Sequence, residues 1–425
     1  MAGLGDLLRR GCTYQRVVLS PQVKLHLITR ESFPSFSVLV SSDFGACNRA
    51  WLDENGREGA LPEGIAHLTE HLLLFRSMRT ELIPLAQEFF GQVNGQVDHA
   101  RSVWWVSNGA YDEASPAASI GQAVARLLRV ISIGTPEPDI ESLLERARSD
   151  VKLEIVHRSQ SELPVSTELM ANLFPRHPLG SSPLGTVASI DEVELRSQRA
   201  ALALLGSRLD TIVVLVDRPI PDLAVVVGSA AVESGALEVP THPPRPSRLP
   251  AVERLPPRRA SRLHPSATAK VAAGFAVEPL AVASGDRREC ARMLLAAELL
   301  RSHLPRPIGC VLTPAARVYM ARSTLPEPWL INRDARLQSG VEERLRKWRA
   351  RFEVETKMAV LRMWETGPAL VRLCHLAACH GFSLEEMFDA AGGLSAEHPE
   401  RMGAELDSPL RQAQVYFGPE ELLDL

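Results

Sequence analysis

His67, Glu70 and His71 fall within little more than one helical turn in the run His67-Leu68-Thr69-Glu70-His71. Residues four apart on an α-helix are separated by about 40° around its axis, so the two imidazoles share a face. Two imidazoles so placed can hold one zinc ion and leave two coordination positions to fill. Glu70 stands beside the pair without needing to bind the ion. A carboxylate there can take a proton from an activated water and pass it to a leaving amine, which is the proton traffic of amide hydrolysis. The bland reading of the same residues is two surface or capping histidines on an amphipathic helix.

Apolar residues at Ala66, Leu68, Leu72, Leu73 and Phe75 predict a helix over 65–75 that carries these side chains. Before it, short apolar runs over 17–19, 23–28 and 36–40 predict strands separated by Ser20-Pro21 and 32–34. After it come a short helix over 81–90, a strand pair over 93–107, helices over 119–133 and 140–157, a helix over 190–206, and strands over 211–216 and 223–227. Asn94-Gly95, near the start of the strand pair, is also a candidate hairpin turn.

From 238 to 265 the chain is rich in Pro and Arg with no apolar period, which predicts a partly extended linker. Beyond it the pattern predicts a strand over 269–275, a helix over 287–302, a strand region over 310–322, and two long helices over 340–380 broken near Thr366-Gly367-Pro368. Helices and strands cluster rather than alternate, so the expected class is α+β, with antiparallel-rich sheets and helices packed on one face. The expected organisation is an N-terminal unit over 1–235 bearing the histidines, a linker over 236–265 and a C-terminal unit over 266–425.

The 425 residues hold 47 basic and 51 acidic side chains, a net charge of −4, which argues against a nucleic-acid partner. No stretch approaches the roughly 20 apolar residues needed to span a bilayer, and the N-terminus lacks a secretory pattern. The cysteines, Cys12, Cys47, Cys290, Cys310, Cys374 and Cys379, are scattered without a CxxC pair and read as free thiols. The expected location is therefore the cytoplasm.

The His-x-x-Glu-His order is the reverse of the thermolysin-type His-Glu-x-x-His arrangement. In its wider context, Gly64-Ile65-Ala66-His67-Leu68-Thr69-Glu70-His71-Leu72-Leu73-Leu74-Phe75 resembles the zinc-binding segment of the pitrilysin/insulinase family of metallopeptidases, which includes the mitochondrial processing peptidases. That segment reads Gly-x-Ala-His-x-x-Glu-His-x-x-x-Phe. The resemblance implies a third ligand from a downstream helix in a context like Val-x-x-Glu-Ile, and Val151-Lys152-Leu153-Glu154-Ile155 supplies it at Glu154. A carboxylate that often stands two turns earlier in that family is Ala147 here. Asp150, one turn from Glu154, is the candidate acceptor behind a ligand histidine, whereas Glu145 points the opposite way.

Gly91-Gln92-Val93-Asn94-Gly95-Gln96-Val97 resembles the family's Gly-x-x-Asn-Ala-x-Thr segment, whose edge strand pairs with the bound peptide, which makes Asn94 a candidate substrate contact. His177-Pro178-Leu179-Gly180 with Gly185-Thr186 and Ile190 matches a further family signature, and His177 reads as a structural loop residue. The family's C-terminal unit offers an Arg and a Tyr to substrate. Here Tyr319 is the candidate tyrosine and Arg317, two residues away, is a weak substitute for the arginine; a strand-face pair with no catalytic role is the competing reading.

The resemblance further implies one Zn²⁺ per chain, held by His67, His71 and Glu154, with Glu70 as catalytic base. It implies hydrolysis of short or unfolded peptides inside a chamber closed by two half-length units, either a homodimer or a heterodimer with a related chain. The degraded Arg/Tyr segment favours the heterodimer. Trimming of leader or precursor peptides is one expected role; a non-catalytic structural or peptide-binding subunit is the alternative.

Overall fold

The computed structural model describes residues 9, 11–31, 35–52, 57–132, 140–159, 163–237, 245–246, 252–256, 258–263, 269–277, 286–303, 308–312, 317–325, 358, 366–395, 397–398, 401 and 411–418. The helix expected over 340–365 lies outside the described residues, residue 358 apart.

The chain begins with β1 (Cys12–Val18), β2 (Lys24–Arg30) and β3 (Phe36–Ser42), then the short strands β4 (Ala50–Leu52) and β5 (Glu58–Ala60). Helix α1 (Ile65–Ser77) continues through a π-helical turn, Met78–Leu82, into α2 (Ile83–Phe89). The hairpin β6 (Gln92–Val97) and β7 (Ser102–Gly109) follows. Next come α3 (Pro116–Ile131), α4 (Ile140–Ser159), α5 (Leu163–Leu173), α6 (Val187–Asp191), α7 (Leu195–Ser207), β8 (Leu209–Val216) and α8 (Leu223–Glu233). Within and beyond the Pro- and Arg-rich stretch lie β9 (Arg245–Pro246), β10 (Arg258–Leu263) and β11 (Ala269–Val277). The chain ends with α9 (Arg287–His303), β12 (Ile308–Leu312), β13 (Arg317–Leu325), α10 (Gly367–Cys379), α11 (Leu384–Gly392) and β14 (Arg411–Gly418).

Two sheets carry the architecture, ordered β1-β2-β8-β3-β7-β6 and β10-β14-β11-β13-β12. In each, one pair is parallel, β2 with β8 and β10 with β14, and the others are antiparallel. The fold is α+β.

The first sheet shows why its strands read as continuous apolar runs rather than alternating ones. Val38, Val40, Trp104 and Val106 face a core shared with α1, α3 and α7. The alternate residues Ile28, Leu39, Val213 and Leu215 face a second core with Leu370, Val371 and Leu373 of α10. A sheet covered on both faces needs apolar side chains on both. The covering is reciprocal, since α5 from the first half packs on β11 and β14 of the second sheet. Among the described residues no helix is long and apolar enough to cross a membrane.

One sequence expectation is corrected, and one pair of alternatives is decided in favour of the edge strand. Residues 223–227 belong to α8, not to a strand. Their Val-rich composition favours extended chain, but Leu223, Val227, Ala230 and Ala231 recur at helical spacing and are buried. They pack where Gly121 of α3 admits Val226, whose Cγ1 lies 2.6 Å from the position of a Cβ at that glycine. Asn94-Gly95 lies inside β6. The turn is made by residues 98–101, where Asp98 Oδ1 accepts hydrogen bonds from the amides of Ala100 (2.7 Å) and Arg101 (2.8 Å).

Candidate metal centre

Helix α1 is buried almost all round. Leu68, Leu72 and Leu73 are fully enclosed, each worth about 1.5–3 kcal/mol relative to exposure. Polar side chains in such a helix need partners. Thr69 Oγ1 donates back to the carbonyl of Ile65 (2.7 Å) and accepts from Gln198 Nε2 of α7 (2.8 Å). His67 and Glu70 are buried too, at 6% and 7% exposure. Placing them there costs stability, and buried ionisable groups of this kind cluster at functional sites.

The loop bearing the His-Pro-Leu-Gly and Gly-Thr motifs fixes the start of α1. Gly64 precedes the helix at φ +81°, and Gly185 packs against it at φ +76°. A Cβ on Gly64 would lie 2.6 Å from the carbonyl oxygen of Leu184, and one on Gly185 would lie 2.7 Å from that of Glu63. Ser189 Oγ donates to the same Glu63 carbonyl (2.9 Å), and the amide of Ser182 donates to Glu63 Oε1 (2.5 Å). His177 is a capping residue of this loop, its Nδ1 accepting from the amide of Leu179 (3.1 Å). Gly64→Ala should cost about 1–3 kcal/mol from backbone strain, before the clash is counted. A thermal melt unchanged from wild type would contradict this packing.

Three side chains converge above α1. His67 Nε2 and His71 Nε2 are 3.2 Å apart, and Glu154 Oε2, reaching across from α4, is 3.4 Å from the first and 3.2 Å from the second. Tetrahedral coordination with bonds of about 2.0–2.1 Å places donor atoms about 3.3 Å apart, so the spacing matches a zinc site. These three residues form the one group of potential metal ligands among the described residues.

The surroundings orient the donors. Asp150 Oδ2 lies 2.8 Å from His71 Nδ1, so a proton on Nδ1 leaves the Nε2 lone pair facing the cluster. His67 Nδ1 is buried without a hydrogen-bond partner. Arg158, one turn beyond Glu154, places Nη2 2.5 Å from Glu154 Oε1. The hydrogen bond from His67, with the charges of His67, Arg158 and His71, holds the Glu154 carboxyl down at about 2 against its own burial. Burial, and next to it the positive charge of His67, push the His71 imidazole below its ordinary range. Burial pushes Glu70 up to about 7, reinforced by the negative Glu154 and opposed by His67 and Arg158. Phe75 closes one side, its ring 6.5 Å from His71 and 4.3 Å beneath the Arg146 guanidinium.

Strand β6, the edge of the first sheet, runs beside this cluster. Gly95 lets it approach: a Cβ there would sit 3.2 Å from Glu70 Oε1 and 3.0 Å from the Trp104 indole nitrogen. Asn94 points to the other face, with its Oδ1 accepting from the Gly95 amide (2.8 Å). Ala147, at the position where the resemblance implies a second carboxylate, is buried in the core, and Glu145 pairs with Arg148 at the surface. Tyr319 and Arg317 lie on β13, in register with Cys310 and Leu312 on one side and Phe275 and Val277 on the other. Their side chains fall outside the described residues.

Sequence reasoning missed two neighbours. Arg158 was detectable as the residue four after Glu154. Trp104 emerges only from the β6–β7 register that sets it opposite Gly95.

No family model matches the chain, and no curated protein matches it by sequence. Solved structures do match. An M16-like peptidase from Alicyclobacillus acidocaldarius aligns over 96% of this chain and 99% of its own, with a TM-score of 0.72 at 16% identity. The chain has the M16 peptidase fold. A peptidase M16 inactive domain from Pseudomonas fluorescens carries the M16 fold too, aligning over 96% of this chain and 98% of its own (TM-score 0.70, 15% identity). Pitrilysin aligns over 97% of this chain but only 45% of its own (TM-score 0.61, 14% identity). This chain thus spans about half the length of pitrilysin.

Proposed function

We propose that the chain is a zinc-dependent endopeptidase that hydrolyses short or unfolded peptides. The observation that carries this reading is the convergence of His67 Nε2, His71 Nε2 and Glu154 Oε2 at zinc-site spacing, with buried Glu70 beside them and an open strand edge alongside. A zinc ion held by those three residues supplies a Lewis acid for a peptide carbonyl and for water.

The chain's own groups do the rest. The edge of β6 offers backbone amides and carbonyls to an extended peptide, whatever its sequence. Asp150 fixes the tautomer and angle of His71. Glu154 stays ionised under the influence of His67 and Arg158. Glu70, whose burial brings it near neutrality, accepts a proton from water and returns it to the leaving nitrogen.

The span of about half of pitrilysin supports pairing with a second half-length chain, either a copy of itself or a related partner, to close the chamber. Trimming of leader or precursor peptides suits such a chamber, because unfolded chains can thread into it and add a strand. A second reading is favoured by the inactive domain that shares the fold, namely a subunit that holds peptide without cutting it.

The test incubates unstructured peptides with the purified chain, alone and with a copurifying half-length partner, and looks for new termini by mass spectrometry. Cleavage that a chelator stops and zinc restores is the expected result. Stoichiometric retention of intact peptide would establish the second reading instead.

A further inference from the structure

Glu154 offers the cluster only one of its two oxygens. Oε2 lies 3.4 Å from His67 Nε2 and 3.2 Å from His71 Nε2, while Oε1 is engaged by Arg158, whose Nη2 stands 2.5 Å away. Residues 154 and 158 are one turn apart on α4, so the helix itself brings the guanidinium to the carboxylate. The side chain of Arg158 is half exposed and that of Glu154 about a quarter exposed. An ion pair that open to water contributes little to stability. Its effect lies in the ligand it holds.

A carboxylate binds a cation through one oxygen or through both. The second oxygen is drawn to the same dication unless another positive group holds it. A guanidinium does so through a charge-assisted hydrogen bond of fixed direction, which a passing water does not match. The groups behind the donors therefore act in two ways. Asp150 accepts from His71 Nδ1 and turns the lone pair of that imidazole toward the cluster. Arg158 donates to Glu154 Oε1 and keeps that oxygen out of the cluster. This matters for a catalytic ion, which needs positions beyond its protein ligands for water and for the substrate carbonyl. A Glu154 bound through both oxygens fills one of them.

We infer that Arg158 is a positioning residue: it restricts Glu154 to a single ligating oxygen and so reserves a coordination position for the peptide carbonyl. The inference rests on the zinc reading of His67, His71 and Glu154. It adds a side chain that shapes the site without touching ion or substrate.

The test compares the full wild-type chain with Arg158→Met and Arg158→Lys, each loaded with Co²⁺ as a spectroscopic substitute for zinc. The visible absorption of Co²⁺ weakens as its coordination number rises. Arg158→Met removes the charge and the donors but keeps much of the side chain's length. It should bind Co²⁺ no more weakly than wild type, because a repelling charge is gone and a second oxygen is available. Its absorption should drop, and acetohydroxamate, a small chelator that needs open positions on the ion, should bind on the order of tenfold more weakly. Arg158→Lys keeps a positive donor and should return most of the wild-type spectrum. A misfolded chain gives neither result, since it releases the metal. An Arg158→Met chain with the wild-type spectrum and hydroxamate affinity overturns the inference. So does one that loses the metal, because Arg158 would then hold Glu154 in place without restricting it. If the spectra agree and the wild-type chain with its partner cleaves peptides, the positioning role falls and the peptidase reading stands. If they differ as expected while the wild-type chain with its partner cuts nothing, the positioning role stands and the catalytic reading falls.

Discussion

Glu70→Gln lowers the turnover of peptide cleavage by about 10²–10⁴-fold and leaves the zinc content unchanged, because the side chain serves as proton carrier and not as ligand. The donor atoms within mutual reach belong to His67, His71 and Glu154, and glutamine keeps the volume of glutamate. Stability moves the other way from activity. Burial raises the Glu70 pKa from 4.5 to about 7, so at pH 7 and above the ionised carboxylate is easier to accommodate in the unfolded chain than in the folded one. A neutral amide escapes that penalty, and with zinc removed from both the variant should melt no lower than the native protein. The same shift sets the pH profile. Activity requires the ionised base and therefore falls as pH drops through its pKa. A bound cation draws that pKa down from about 7, so the acid limb lies below about 7. A Glu70→Gln chain that cleaves as fast as wild type would end the catalytic reading.

How far the sequence speaks for this site depends on the reach of each interaction. His67 and His71 lie one helical turn apart, so their shared face follows from helix geometry alone. Glu154 is over 80 positions away in sequence, and only its resemblance to a family segment could single it out among the glutamates of a charged helix. Asp150 was accessible from the angle between it and Glu154 on α4, once Glu154 was in hand. Gly64 and Gly185 were visible as parts of two separate motifs, but their mutual packing at positive φ was not. Nor was the exchange in which α10 covers the first sheet and α5 the second, since contacts between distant helices and sheets leave no local period. The error at 223–227 has the same origin: a Val-rich stretch is driven into a helix by a glycine notch on another helix. Local geometry is legible in this chain, while partners set by tertiary packing are not.

Glu154→Gln reduces bound zinc to a small fraction of one ion per chain after dialysis, and cleavage disappears with it. Three donors spaced 3.2–3.4 Å apart close one face of a tetrahedron, and two imidazoles alone cannot fix the ion's position. Glutamine keeps the reach of glutamate but removes the negative charge that offsets the dication. The loss acts on the protein as well as on the ion, because a ligand that binds only the folded chain stabilises it by mass action. Wild type should therefore melt at a higher temperature with zinc than after chelation, and Glu154→Gln should show little difference between the two. Asp150→Asn provides the graded control. It leaves all three donors in place and weakens only the acceptor behind His71, so affinity should fall about 10–100-fold while saturating zinc restores activity. If instead Glu154→Gln retained a full equivalent of zinc through dialysis, the ion would be held by some other set of side chains, and the alignment of Glu70 with the edge of β6 would lose its chemical meaning.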